Sequence, residues 1–69
     1  IEIMKKLYTL TCLHETRFGI DVYTSVHPSY EEAEAYADVV EMECEYDENE
    51  PEYGEYFSYS VDEHKLDWL

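Results

Sequence analysis

The stretch PSYEEAEAYADVVEMECEYD, residues 28–47, decides the fold. It opens as a helix. Ser29 and Glu32 form a capping box, in which the hydroxyl takes the Glu32 amide and the carboxylate reaches back to the Ser29 amide. Glu31 and Glu32 also suit the positive end of a helix dipole. Ala33, Tyr36, Ala37 and Val40 recur at 3-4 spacing and are expected to face a sheet. From Val40 the period changes to two, with Val40, Met42, Cys44 and Tyr46 alternating with Glu41, Glu43, Glu45 and Asp47. No Gly or Pro marks the switch. The reading is helix to about Glu41 and then a strand over 42–47, with a continued helix as the alternative.

The segments on either side read as strands. Residues 5–13 (KKLYTLTCL) put Tyr8, Leu10 and Cys12 on one face and Leu7, Thr9, Thr11 and Leu13 on the other. Residues 20–26 alternate more cleanly, Ile20, Val22, Thr24 and Val26 opposing Asp21, Tyr23 and Ser25. The polar connection His14–Gly19 makes the two a hairpin with a longer loop. DENEPEYG (47–54) is an acidic, turn-rich loop, and residues 55–61 alternate again. The expectation is an α+β fold: a small antiparallel sheet of three or four strands, ββαββ or ββαβ, with one helix packed on one face.

Sixty-nine residues allow one small domain, whose stability is marginal at this size. Ile1–Ile3 precede Met4-Lys5-Lys6, which reads as a start, so residues 4–69 are taken as a single acidic domain and 1–3 as an added remnant. No apolar run approaches a membrane span, so a cytoplasmic location is expected. Cys12 and Cys44 lie among apolar neighbours and are expected as buried free thiols. Leu66, Trp68 and Leu69 are expected to tuck against an open sheet edge.

Charge is the dominant signal. Four Lys+Arg against 18 Asp+Glu leave a net charge of −14. A basic patch for nucleic acid or an anionic membrane is excluded. The bases are Lys5, Lys6, Arg17 and Lys65, and the block Phe18–His64 has none while holding 15 of the 18 acids. Glu31, Glu34, Asp38 and Glu41 fall at 3-4-3 spacing as one solvent-facing stripe; Glu45 extends it by four if the helix continues, whereas in a strand Glu43 and Glu45 line one face and still point outward. Asp47, Glu48, Glu50, Glu52 and Glu55 follow in and beside the loop, with Tyr46, Tyr53 and Tyr56 among them as candidate contact rings. Tyr8, Tyr36 and Tyr59 are expected in the core. A compact domain of this size would be about 28 Å across. It would then carry on the order of one net charge per 2 Å, close to the one per 1.7 Å of duplex DNA.

Other chemistries fit the residues poorly. Pro51 and Glu52 break an EF-hand reading of the loop, and two-residue spacing at Cys12 and His14 is a weak zinc signal. No metal, cofactor or enzymatic activity is expected. The size and the acidic block Glu31–Glu55 resemble the DNA-mimic inhibitors of phages and mobile elements, a class that includes anti-restriction and anti-CRISPR proteins. The resemblance is compositional. It implies occupation of a basic DNA- or PAM-binding surface, with a type I Cascade complex as the nearest target. The partner is then a basic DNA-binding protein or CRISPR effector subunit, with no direct nucleic-acid or membrane contact. Glu31, Glu34, Asp38, Glu41, Glu43, Glu45, Asp47, Glu48, Glu50, Glu52, Glu55 and Tyr53 form the expected partner-binding set. The alternative is an interaction module that binds through a sheet edge or the Trp68/Leu69 tail, with the acids as bystanders.

Overall fold

Alternating β-branched and aromatic residues make Lys6–Thr16 a strand, β1, that pairs antiparallel on both sides. The computed structural model describes residues 6–66. β1 is followed by β2 (Gly19–His27), α1 (Tyr30–Glu43) and β3 (Tyr56–Lys65), and the sheet order is β2-β1-β3. This is a small ββαβ fold of the α+β class with one helix across one face. Among the described residues no helix is long and apolar enough to cross a membrane. The expected resting place of Trp68 and Leu69 lies outside the described residues.

The helix starts where the capping residues put it. Ser29 has extended backbone, and its hydroxyl accepts from the Glu32 amide at 3.2 Å. Only that half of the capping box is made. Ala33, Ala37 and Val40 are buried against Leu10 and Cys12, with Tyr8, Cys44, Phe57 and Val61 packed around them. Tyr36 and Tyr59 do not join this core as expected. Tyr36 lies on the β2 flank of α1, its ring 5.2 Å from that of His27, and Tyr59 turns its hydroxyl out to Glu34.

The strand expected over 42–47 is not formed, and the ββαββ form with it. Instead α1 runs on to Glu43 and closes in a Schellman turn: the Glu45 amide donates to the Met42 carbonyl at 3.0 Å and the Tyr46 amide to the Glu41 carbonyl at 3.3 Å. The position that glycine normally fills is held by Glu45, at φ 56°. The alternation over 40–46 is a coincidence of the helix, for Val40 and Cys44 share its inner face while Met42 is exposed.

Register then decides which side of each strand meets α1. Leu10, Cys12 and His14 of β1 lie opposite Ser25, Tyr23 and Asp21 of β2, and opposite Val61, Tyr59 and Phe57 of β3. The helix-facing row of β2 is therefore its polar row. Ile20, Val22 and Val26 point to the uncovered side of the sheet and are 58%, 58% and 60% exposed.

A left-handed backbone costs a residue with a side chain about 1–2 kcal/mol, and glycine's freer unfolded chain returns roughly 0.4–1 of that. Glu45→Gly is thus expected to stabilise the fold by about 0.5–1 kcal/mol in urea unfolding; a loss of stability would show that α1 does not end in this turn.

Candidate functional site

α1 runs antiparallel to β2, so its C-terminus lies at the hairpin end of the sheet, and the connection to β3 wraps that same end. Glu43, Glu45, Asp47, Glu48, Glu50 and Glu52 converge there and are all exposed. The loop is ordered by its own backbone. The Asp47 carboxylate accepts from the Asn49 amide at 2.9 Å, and the Glu55 amide donates to the Glu52 carbonyl at 2.9 Å. Gly54, at φ 78°, sits beside Arg17 of the β1–β2 turn; a side chain there would meet the Arg17 Cβ and backbone at 3.8 Å. Tyr53 beside it is 90% exposed.

Three expected contact residues do other work. Glu55 is not a free surface acid: its Oε2 lies 2.7 Å from His14 Nε2, and both side chains are almost covered. Tyr46 is half-buried, stacked on Phe57 at 6.0 Å and edge-on to His14 at 6.4 Å. His14, Glu55, Tyr46 and Phe57 together clamp the loop to the sheet. Glu34 is half-buried and accepts from the Tyr59 hydroxyl at 3.4 Å. Glu41 is half-buried too, while Glu31 and Asp38 are exposed. The stripe therefore leans onto the β3 flank instead of facing solvent throughout. The clamp was the part sequence reasoning missed. The only hint of it was a histidine on the apolar row of β1.

Electrostatically the acidic end stands uncompensated. Residues 6–66 hold sixteen acids and three bases, Lys6, Arg17 and Lys65. Among them the close ion pairs are Lys6–Glu63 at 3.3 Å, at the opposite end of the sheet, and His14–Glu55. Arg17 lies over the Phe18 ring, 4.8 Å from its centroid. The last turn of α1 has no base, so Glu41 and Glu43 sit at the negative end of the helix dipole. The shape corrects the charge-density expectation. The described residues extend 50 × 18 × 13 Å with a radius of gyration of 14.7 Å, against about 11 Å for a compact chain of this length. Thirteen net charges over 50 Å is about one per 4 Å, nearer the one per 3.4 Å of a single DNA strand than that of a duplex.

Because β2 turns its polar row inward and its aliphatic row away, an open cleft of about 340 Å³ remains between it and α1, lined among others by Cys12, Tyr23, Ser25, Tyr36 and Glu43. Burial pushes both thiols up, Cys12 further through the nearby Cys44, whereas at Cys44 the donating Tyr23 hydroxyl partly offsets it. Thiols held protonated are weak nucleophiles. Both cysteines are free, and among the described residues no three metal-ligating side chains come together. The chain matches no protein-family model, no curated protein and no solved structure.

The hydrogen bond from His14, reinforced by the Glu52 amide, holds the Glu55 carboxyl below its ordinary 4.5 against the opposing effect of desolvation. A folded-state value below the unfolded one contributes stability that is complete above the unfolded value and lost as pH falls through the folded one. Stability is expected to drop below about pH 4.5, and Glu55→Gln to flatten that acid limb while lowering the plateau. Denaturation midpoints from pH 7 to 3 check this; an unchanged acid limb in the variant would show that the pair does not hold the loop.

Proposed function

We propose that this chain is a non-enzymatic binding module that offers an acidic surface to the basic nucleic-acid-binding surface of a partner protein, as DNA-mimic inhibitors do. One observation carries the reading. At the end of α1 the chain breaks three local rules at once: acids where the dipole favours bases, a glutamate where the turn favours glycine, and a run of carboxylates with no close basic partner among the described residues. Each break costs a small domain stability it can hardly spare, and such costs persist where a function uses them.

The surface itself comprises Glu31, Asp38, Glu43, Glu45, Asp47, Glu48, Glu50 and Glu52, with Tyr53 as an exposed ring beside them. Carboxylates pair with arginine in a fork, and a tyrosine face accepts a stacked guanidinium. Glu34 and Glu41 stand behind this surface at the β3 flank, and Glu55 supports it from below. The narrower assignment, an anti-CRISPR protein acting on a type I Cascade complex, rests on size and charge alone.

The test is competition for DNA. With a purified type I Cascade complex and labelled target duplex, the chain is expected to displace DNA, and more weakly as salt rises. Reversing Asp38, Glu48 and Glu50 together to Lys is expected to raise the inhibitory concentration at least about 100-fold without loss of fold, since each reversal removes one attraction and adds one repulsion. No displacement at any salt would end the Cascade assignment. Displacement by the triple variant equal to that of the native chain would end the acidic-surface reading altogether.

A further inference from the structure

The side of the sheet that α1 leaves bare has a composition at odds with the rest of the molecule. Its rows are Leu7, Thr9, Thr11, Leu13 and Glu15 of β1, Ile20, Val22, Thr24 and Val26 of β2, and Tyr56, Ser58, Ser60, Asp62 and His64 of β3. Glu15 and Asp62 are the only acids among these strand residues, in a chain with 18. An antiparallel sheet can leave one face to water when that face is polar. Here the exposed row of β2 is its apolar row, and the polar row is turned toward the helix. Among the described residues the core under α1 has five buried apolar residues, Leu10 and Cys12 being the largest fully buried.

We propose that this bare face packs against the same face of a second copy of the chain, giving a two-fold sandwich with the helices outside. Charge selects this occupant. A basic protein is drawn to the acidic end and flank, whereas the bare face offers it little charge and mostly aliphatic and threonine contacts. A second copy brings a face of the same outline, with the same aliphatic residues of β1 and β2, Leu7, Leu13, Ile20, Val22 and Val26, beside a polar β3 row. With the strands of the two copies running oppositely, the two acidic ends lie at opposite ends of a body 50 Å long, several screening lengths apart at ordinary salt. The area is sufficient. Strands of about ten residues at ~3.3 Å each, three abreast at ~4.8 Å, make a face of roughly 450 Å² in projection. Two corrugated faces of that outline remove on the order of 1,000–1,400 Å² from water, the lower range of specific interfaces. Inner faces of packed sheets interdigitate in the same way, with Val22 against the partner's aliphatic row.

Sedimentation equilibrium of the native chain tests this. The expected mass is twice the 8.3 kDa of one chain. Association is expected to tighten from about 0.05 to about 0.5 M salt as like charges are screened, the opposite of the salt response at the acidic surface, so the two readings fail separately. Val22→Asp is expected to weaken association at least ~100-fold, because each dimer would bury two uncompensated carboxylates. Met42→Asp, on the exposed side of α1, is expected to leave it unchanged. Should the Val22→Asp chain lose its circular-dichroism sheet signal, the isosteric Val22→Thr must still weaken association about 5-fold or more. A native chain that stays monomeric to about 1 mM in high salt overturns the proposal. So does a dimer indifferent to both Val22 variants, which would be joined at a strand edge instead.

Discussion

The pairing of β1 with both of its neighbours is the constraint on which the rest of the molecule depends. β1 is the central strand, and its row Tyr8, Leu10, Cys12 and His14 faces the helix. Once that row is inward, the antiparallel register leaves no freedom to β2 or β3, because a slip of one residue would exchange the faces of a whole strand. β3 gains by this: Phe57, Tyr59 and Val61 come to the helix side. β2 does not, and its aliphatic residues end on the bare face. The cleft beside α1, the exposed valines and the thin core are three consequences of one register.

The same constraint places the acids. α1 must return from the far end of β2 toward the hairpin, so its C-terminus and the connection to β3 share one end of the sheet. The connection is then held by its inner side chains, in the Tyr46–Phe57 stack and the His14–Glu55 pair. A glutamate consumed in the clamp frees the outer carboxylates to remain unpaired. This separates Glu55 from its neighbours in the loop although their residue type is the same.

Much of the fold was legible and the site only in part. The pairing of β1 with β2 and the helix start could be read because alternation and Ser29–Glu32 capping are local signals, but the longer loop expected over 14–19 is a two-residue turn, because His14, Glu15 and Thr16 pair with Asp21, Ile20 and Gly19. The helix end could not. Its turn places Glu45 where the sequence rule looks for glycine, and the glutamates after Val40 happen to imitate a strand. Alternation in β2 was visible, but which row lies inward is settled by the partner strand and not by β2 itself. Among the acids, spacing alone could not show that Glu55 lies against a buried imidazole 41 positions earlier, nor that Glu34 is tied to Tyr59. These are long-range contacts, and no periodicity in a single segment carries them.

The two surfaces of this small sheet therefore obey opposite physics. On the helix side and at its end, like charges repel across exposed positions, and an oppositely charged surface or screening salt lowers that energy. On the bare side, apolar area exposed to water is lowered in energy by burial against any surface that fits. Salt screens charge repulsion and leaves apolar burial largely intact, so ionic strength acts differently on the two surfaces. A charged protein with a single surface would have to trade solubility against contact area. With one helix and one register, this chain keeps its charge at one end and flank and its apolar area on the other side of a single sheet.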